Sequence, residues 1–243
     1  CKREYIEPRL EIRELTPEDD NIPKDEFYHL IVDGDEEQVI QGIQQIKKDL
    51  EQNRDMLLGP GDLKACNFGR HLFQPLLHVR RGGKITVLPV ALNESEFQFV
   101  KDLKDWCDKQ KGMLDKKHLE IFLLRNMSRG KGVGFFEAAN FHPDFIMWVL
   151  AGDRQYVTFI EPHGLMLEGP GSEKILFHER IKDIEKRLGD AGITLNSFIL
   201  SWTRHPQLKW GLSMDELAER HVLFMTDDAD RYLTRLFGLL NVM

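Results

Sequence analysis

Two acidic residues are positioned by a predicted β-hairpin. Two strand-like segments, residues 144–150 and 155–161, are joined by the turn Gly152-Asp153, and a glycine at the first turn position suits the right-handed twist of strands. Residue numbers of partners across such a hairpin have a constant sum, so Asp144 lies opposite Glu161. Directly opposed side chains share a face, with Cβ atoms roughly 4.5–5.5 Å apart. Two carboxylates at that separation repel each other unless a cation lies between them, so the pair predicts a metal site.

Two more residues could complete this site. Period-two alternation places His163 on the same face as Glu161 and Asp144. Glu96 lies on the apolar stripe of a predicted helix, where a carboxylate needs a partner or a cation. Each residue also has a plainer explanation. Glu96 stands three residues after Asn93 and could be the reciprocal member of a capping box. Asp144 could simply mark a strand start, Glu161 could be a solvated strand end, and His163 could be a turn residue.

The elements expected around these residues alternate between helices and strands. From Asn93 onward the predicted order is helix, three strands, helix, strand, followed by two shorter helices. The predicted segments are a helix 93–109, strands 119–124, 144–150 and 155–161, a helix 172–188, a strand 197–202, a short helix from Ser213, and a helix 227–240. The hairpin strands are apolar on both faces. This pattern predicts the α/β class, with a central mixed sheet flanked by helices.

The N-terminal part is expected to be a strand and helix appendage. Residues 2–26 are rich in charge and proline, and the sequence predicts four segments here: a possible short strand 9–13, a strand 28–33, a helix 36–58 and an extended segment 84–90. Gly59-Pro60-Gly61 should end the helix. We therefore predict an arm over residues 1–60 and a main domain over residues 61–243.

The composition is that of a globular protein with a substantial core, because 42% of residues are hydrophobic and 30% are charged. No apolar run reaches the roughly 20 residues that span a bilayer, and no signal-peptide pattern opens the chain. The three cysteines show neither zinc nor disulfide spacing, so we expect a cytoplasmic protein without a membrane partner. Because the chain starts at Cys1, we expect it to be part of a longer protein.

The net charge of −7 argues against a domain that binds nucleic acid by general charge attraction. A nuclease module that an attached partner domain brings to its substrate is compatible with this charge. Local charge therefore matters more than the total.

The acidic residues fall in a recognisable pattern. Pro143-Asp144 and then Glu161-x-His163, preceded by a helix acid and followed by a helix, resemble the PD-(D/E)xK nuclease core. Three longer strings resemble the C-terminal nuclease region of DEAD/DEAH-box helicases that are similar to the Res subunits of type III restriction enzymes. These strings are residues 91–103, 123–137 and 141–148. The resemblance covers residues 73–202 and implies a restriction-endonuclease-like fold, with residues 1–60 as the arm or linker to a helicase part.

The resemblance also implies roles for individual residues. Asp144 and Glu161 would be ligands of a divalent metal, the backbone carbonyl of Pro162 a further ligand, and Glu96 the helix acid. His163 departs from the pattern, which has lysine at that position. A histidine is largely neutral near pH 7, since its ordinary pKa is about 6.5. It could still hold or deprotonate the attacking water, or it could mark a silent nuclease.

The implied chemistry is hydrolysis of phosphodiesters with Mg²⁺ or Mn²⁺, because hard carboxylate oxygens suit these ions. A loop that contains Arg125, Arg129 and Lys131 among glycines could hold the DNA backbone, or it could be a plain solvated loop. Glu137 is the alternative third acid.

The sequence therefore predicts a metal-dependent DNA endonuclease domain, the C-terminal effector of a helicase-type restriction or phage-defence protein. Its expected partners are DNA and a helicase or ATPase region of the same longer chain or complex. The first alternative is a silent nuclease-like fold used for DNA binding or assembly. A second is an oligomerisation module that uses the helix 36–58. A minor alternative is a transition-metal site at His142 and His163, while His178, His205 and His221 are expected to be surface or core residues.

Overall fold

The computed structural model describes most of the chain from residue 91 onward and parts of the chain before it. The described residues are 29–32, 37–52, 54, 63–72, 76–79, 85–88, 91–126, 133–135, 141–229 and 231–243. They form an α/β protein with a five-stranded mixed sheet packed against helices and two small two-stranded sheets nearer the N-terminus. Within these ranges, no helix is long and apolar enough to cross a membrane.

The elements follow one another in a simple order. The N-terminal part contains β1 (His29–Val32), α1 (Glu37–Glu51), β2 (Leu63–Cys66), a 3₁₀ turn (Gly69–His71), β3 (Leu76–Val79) and β4 (Ile85–Leu88). The main part contains α2 (Glu94–Lys109), α3 (Lys111–Lys117), β5 (Leu119–Arg125), β6 (Phe145–Ala151), β7 (Arg154–His163), α4 (Glu173–Leu188), β8 (Ile193–Ser201), α5 (His205–Leu208), α6 (Met214–Glu219), β9 (Val222–Phe224) and α7 (Tyr232–Leu239). The predicted order of helix, three strands, helix and strand is confirmed.

The large sheet has the strand order β5-β6-β7-β8-β9. Strands β5, β6 and β7 pair antiparallel, and β8 and β9 add in parallel, with α4 as the connection between β7 and β8. The hairpin register pairs Phe145 with Ile160 and Ala151 with Arg154. In both pairs the two residue numbers add to the same value as those of Asp144 and Glu161, so the register inferred from the Gly152-Asp153 turn is confirmed. Gly152 adopts a φ of +60°, which glycine reaches without steric cost.

Side-chain alternation divides the sheet between two helical layers. Phe145 belongs to the core under α2 and α7, in which Phe99 and Tyr232 are fully buried. The next residue, Ile146, packs in the core under α4 together with Phe159 and Phe177. Helices cover both faces of the hairpin, and this explains why its strands are apolar on both faces. This burial fixes the hairpin within the sheet.

The N-terminal elements share a smaller core. Strand β1 pairs antiparallel with β4, and β2 pairs antiparallel with β3. Ile46 of α1 packs with buried residues of β2, β3 and β4. The predicted strand 28–33 and extended segment 84–90 are observed as β1 and β4. The boundary between residues 60 and 61 stays a prediction, and the short strand predicted over residues 9–13 lies outside the described residues.

Several predicted boundaries were wrong. Helix α1 ends at Glu51 rather than at residue 58, because the Arg54 amide donates to the carbonyl of Asp49 and closes the last turn. Helix α7 begins at Tyr232 rather than at residue 227. The segment before it forms turns, in which the amides of Arg231 and Tyr232 both donate to the carbonyl of Asp228. Strand β8 begins four residues before its predicted start, because the whole segment pairs with β7. The prediction omitted β2, β3, α3, α5 and β9, which are short.

Helix α4 should contribute strongly to stability through one aromatic residue. Phe177 is fully buried, with its ring centroid 4.5 Å from that of Phe135 and 5.4 Å from that of Phe141. We expect Phe177→Ala to lower the free energy of unfolding by about 3–5 kcal/mol, because the substitution loses apolar burial and leaves a cavity. Urea denaturation measures this change. Lys186→Ala, at an exposed position of the same helix, should change the free energy of unfolding by less than about 0.5 kcal/mol.

Candidate active site

Asp144 and Glu161 meet where the hairpin leaves the sheet. The β6–β7 ladder ends at the pair Phe145 and Ile160, and one further step of the same register places Asp144 opposite Glu161. The backbone amide of Asp144 donates to Oε2 of Glu161 over 3.2 Å. On the other side, the amide of Asn126 donates to the carbonyl of Asp144 over 2.8 Å. The proximity predicted for the two acids is thus observed, with a main-chain hydrogen bond between them.

Glu161 is held by a lysine from the next helix. Its side chain is buried, and its Oε1 accepts a hydrogen bond from Lys174 Nζ over 2.9 Å. Lys174 lies in the first turn of α4, where its side chain is 30% exposed. The sequence interpretation did not select Lys174. It could have done so, because Lys174 is three residues before Phe177 and seven before Ile181, on the apolar stripe of α4.

Glu96 forms the capping box that its spacing from Asn93 allows, and it also contacts a cation. Its Oε2 accepts the amide of Asn93 over 2.9 Å, and its own amide donates to Asn93 Oδ1, which completes a capping box. The same Oε2 lies 3.1 Å from a guanidinium nitrogen of Arg125. Burial raises the pKa of Glu96, and the charge of Glu161 raises it further, while Arg125 and the amide of Asn93 act in the opposite direction. Glu96 therefore faces the site as well as capping α2.

The charges of two neighbouring carboxyl groups, Glu161 and Glu96, act on Asp144. Burial raises the pKa of Asp144 to about 8, and the negative charges of Glu161 and then Glu96 add to this effect. The cations Arg125 and Lys174 lower the pKa of Asp144 but do not cancel the increase. The cluster consequently holds three carboxyl groups against two cationic side chains. Near pH 7 a proton on Asp144 relieves this repulsion, and a bound cation could take the place of that proton.

The carbonyl of Pro162 contacts the first turn of α2. Pro162 follows Glu161 in β7, and its carbonyl oxygen accepts a hydrogen bond from Ser95 Oγ over 3.1 Å. Ser95 Oγ also lies 2.8 Å from Asn93 Oδ1, so the two oxygens share its single hydroxyl proton. The start of α2 is thereby attached directly to the end of β7. A carbonyl oxygen has two lone pairs, so this one keeps a second for another partner.

His163 ends β7 beside the acids. It lies two residues beyond Glu161, and alternation places both side chains on the sheet face that α4 covers. Burial lowers the pKa of His163, Lys174 lowers it further, and the charges of Glu161 and Glu168 oppose the decrease. Its Nε2 lies 3.9 Å from Oε1 of Glu168, and its side chain is 40% exposed. The imidazole is therefore neutral near pH 7 and accessible to water.

The structure describes only part of the predicted basic loop. Arg125 is the last residue of β5, and its contact with Glu96 places it in the site rather than in a solvated loop. Arg129 and Lys131 lie outside the described residues, as does the alternative acid Glu137. Their predicted roles stay predictions.

The donor chemistry of the cluster fits a hard divalent cation. The donors are the carboxyl groups of Asp144, Glu161 and Glu96 and the carbonyl of Pro162, and oxygen donors of this kind suit Mg²⁺ and Mn²⁺. A bound cation would replace the proton that the raised pKa of Asp144 keeps on its carboxyl group near pH 7. In the described part of the chain, no three His, Cys, Asp or Glu side chains are grouped closely enough to hold a metal ion by themselves. Binding would therefore use the Pro162 carbonyl and water together with the carboxylates.

The remaining histidines lie mainly in the packing of the fold. His221 stacks on Phe198 with ring centroids 4.2 Å apart, and its Nδ1 lies 3.0 Å from the carbonyl of Ser197. The ring of His178 is 5.3 Å from that of His221. His205 contacts the carbonyl of Leu212. His142 lies before the β6–β7 ladder, which ends at Phe145, so the predicted pairing of His142 with His163 is not observed. The imidazole ring of His142 instead lies close to Gly134.

His221 should make stability depend on pH. Burial lowers its pKa from 6.5 to about 4, and the charges of His178 and Lys182 contribute, whereas the carbonyl of Ser197 opposes the shift. Between pH 6.5 and about 4, the unfolded chain binds a proton that the folded chain does not, so stability falls as the pH falls. Between pH 7 and about pH 4.5, we expect the free energy of unfolding of the parent to fall by about 2 kcal/mol more than that of His221→Asn. Urea denaturation at both pH values measures this, and equal losses would contradict it.

Comparison of the chain with protein-family models, with curated proteins and with solved structures found no match.

Proposed function

We propose that this chain is a metal-dependent DNA endonuclease domain that hydrolyses phosphodiester bonds. The observation that carries the proposal is the convergence of Asp144, Glu161 and Glu96 with two cations, Arg125 and Lys174, at one end of the sheet. Structural ion pairs rarely need three carboxyl groups in one buried cluster, because the surplus acid is costly. Perturbed groups of this kind are concentrated at functional sites.

The fold supports the same proposal. The order of α2, α3, β5, β6, β7, α4 and β8 is one observation that supports the restriction-endonuclease-like core that the resemblance implies. The positions of the acids support this proposal, since Asp144 directly precedes β6, Glu161 lies near the end of β7 and Glu96 lies in the first turn of α2. The proposal includes the larger context of the resemblance, in which a helicase region of a restriction or phage-defence protein brings the domain to DNA.

Asp144, Glu161, Glu96 and the carbonyl of Pro162 would hold Mg²⁺ or Mn²⁺. The bound ion would lower the pKa of a water molecule and offset the charge that develops on the phosphate. Lys174 neutralises part of the acid charge and, because its side chain is 30% exposed, can also contact a phosphate oxygen. It thus supplies the cation that the family pattern has at the position of His163.

His163 and Arg125 have different tasks in this scheme. The neutral, accessible imidazole of His163 can accept a hydrogen bond or a proton from the attacking water. Arg125 holds Glu96 in place and lowers the pKa of Asp144, which favours the ionised form of both acids. The scheme therefore does not require a lysine at position 163.

A cleavage assay with two forms of DNA tests the proposal. The purified chain is incubated with supercoiled plasmid and with single-stranded circular DNA, in Mg²⁺, in Mn²⁺ or in a chelator, beside Asp144→Asn. We expect cutting by the parent only in the presence of a divalent ion, and none by the variant. Equal cutting by both proteins would show that the activity belongs to another site.

A second candidate function is a nuclease-like fold that binds DNA or assembles a complex without cutting. The observation in its favour is that side-chain cations already contact Glu161 and Glu96, through Lys174 and Arg125. This function predicts no cleavage by the parent and no increase in melting temperature with Mn²⁺. A Mn²⁺-dependent increase that requires Asp144 would exclude it.

A further inference from the structure

One buried asparagine holds the chain that leads into Asp144. Asn126 follows β5 directly and is buried. Its backbone amide donates to the carbonyl of Asp144 over 2.8 Å. This bond continues the β5–β6 register by one step beyond the pair of Arg125 and Phe145. Asn126 is therefore the neighbour of Asp144 across the β5 edge of β6, while Glu161 is its neighbour across the β7 edge.

The side chain of Asn126 joins two segments of main chain. Its Nδ2 donates to the carbonyl of Pro143 over 2.8 Å and to the carbonyl of Val133 over 2.7 Å. Its Oδ1 accepts the amide of Val133 over 2.9 Å. Both protons of the side-chain amide are thus used. An ionised aspartate of the same shape has no proton to donate, so these contacts require an amide.

The segments that Asn126 joins form a short antiparallel pair ahead of β6. The amide of Phe135 donates to the carbonyl of Phe141 over 2.8 Å, and the two residues form an antiparallel bridge. Both rings pack in the core under α4. Val133 and Pro143 lie two residues further along the same pair, where Asn126 closes it. The chain before Asp144 is therefore anchored in the core at one end and by Asn126 at the other.

The position of the Asp144 carboxyl group depends on these main-chain contacts. Its side chain makes no hydrogen bond or ion pair with the residues that the structure describes. Its amide donates to Oε2 of Glu161, and Asn126 makes the hydrogen bonds to the carbonyls of both Pro143 and Asp144. A metal site needs its ligands within about 0.5 Å of the productive geometry. A change in the main chain here would displace one of the two opposed acids.

We propose that Asn126 is a positioning residue for the candidate metal centre. Its side-chain amide fixes the main chain before β6 so that the carboxyl groups of Asp144 and Glu161 face one cation. The inference rests on the proposed function and adds a residue that touches neither the metal nor the substrate. Residues that orient metal ligands in this way typically change metal affinity or activity by about 10–100-fold when they are removed.

The preceding residue acts on another acid of the site. Arg125, the last residue of β5, lies 3.1 Å from Oε2 of Glu96 on α2. Asn126, the next residue, holds the chain at Asp144. Two adjacent residues at one strand end therefore align a helix acid with a hairpin acid.

The dissociation constant for Mn²⁺ tests the inference, measured on the whole chain without DNA by the electron paramagnetic resonance of free Mn²⁺. We expect Asn126→Ala to raise this constant about 10–100-fold. Asn126→Ser keeps a hydroxyl that can donate to one of the two carbonyls, so it should raise the constant less. If Asn126→Ala does not fold, the serine variant carries the test.

Asn67→Ala is the matched control. Asn67 is also a buried asparagine, and its Nδ2 donates to a backbone carbonyl, that of Arg54, over 3.2 Å. This bond lies within the N-terminal part of the chain. The control should therefore lose a comparable amount of stability while its Mn²⁺ dissociation constant stays within about two-fold of that of the parent.

A second measurement needs no metal. Hydrogen exchange followed by NMR reports on the amide of Asp144, which donates to Glu161. In Asn126→Ala this amide should exchange at least about ten-fold faster than in Asn67→Ala, because the carbonyls that Asn126 held have lost their donor.

Two outcomes would overturn the inference. One is Mn²⁺ binding by Asn126→Ala that is as tight as that of the parent. The other is an equal weakening by Asn67→Ala, since the effect would then follow stability alone. If the parent itself binds no Mn²⁺, the proposed metal centre is contradicted and exchange decides the role of Asn126. Faster exchange at Asp144 then supports the positioning role, and unchanged exchange overturns it as well.

Discussion

Asp144→Asn is expected to abolish divalent-metal binding and to lower DNA cleavage by at least about 100-fold. The substitution keeps the shape of the side chain and removes the carboxyl group on which the charges of Glu161 and Glu96 converge. At Mn²⁺ concentrations of about 100 times the dissociation constant, the parent should gain about 2.7 kcal/mol in stability and the variant none. Thermal unfolding with and without Mn²⁺ measures the gain.

The same hairpin offers a matched control for this prediction. Asp153 lies exposed in the turn at the other end of the hairpin. Asp153→Asn makes the same chemical change at an exposed position away from the site, so it should retain both the Mn²⁺-dependent stabilisation and the cleavage of the parent. The prediction would fail if the two variants lost metal binding to the same extent. Without metal, Asp144→Asn should be no less stable than the parent near pH 7, because the pKa of about 8 already keeps most of the Asp144 side chains uncharged.

Lys174→Met is expected to destabilise the metal-free protein by about 2 kcal/mol. The substitution leaves the buried carboxylate of Glu161 without its cation, and breaking a buried pair in this way costs about 3–5 kcal/mol. The expected value is lower because Lys174 is partly exposed and water screens the pair. Urea denaturation measures the change. Cleavage should also fall, since the site loses the cation that lies nearest to Glu161.

Lys186→Met provides the comparison on the same helix. Lys186 pairs with Asp183, and both side chains are more than two-thirds exposed, so this substitution should change stability by less than about 0.5 kcal/mol. A second variant tests the role assigned to Lys174. Adding His163→Lys to Lys174→Met should restore part of the cleavage, because position 163 lies beside the same acid. Equal stability losses in the two methionine variants, or no recovery in the double variant, would contradict that role.

The hairpin could be predicted from the sequence because its determinants are local. The Gly152-Asp153 turn fixes the register, and a constant sum of residue numbers then places Asp144 opposite Glu161. Helix α2 was also predictable, since Asn93 and Glu96 form the capping box that their spacing allows. In each case a short segment contains all the information that the prediction needs.

Other features depend on contacts between distant segments. The pairing of Lys174 with Glu161 requires α4 to dock on the sheet, and the pairing of Arg125 with Glu96 joins α2 to the end of β5. Strand β9 has only three residues and exists because it pairs with β8. No local pattern specifies these contacts. Lys174 nevertheless left a signal, because a charged residue on an apolar stripe needs a buried partner.

We propose above that the acids at the end of the hairpin form a divalent-metal centre. The most direct test of this proposal is the anomalous scattering of Mn²⁺ in crystals of the chain grown with that ion. The account predicts a peak about 2.0–2.3 Å from carboxylate oxygens of both Asp144 and Glu161, with the carbonyl of Pro162 in the same coordination shell. A Mn²⁺ peak only at other positions, with Lys174 still bonded to Glu161 and no ion beside Asp144, would contradict it.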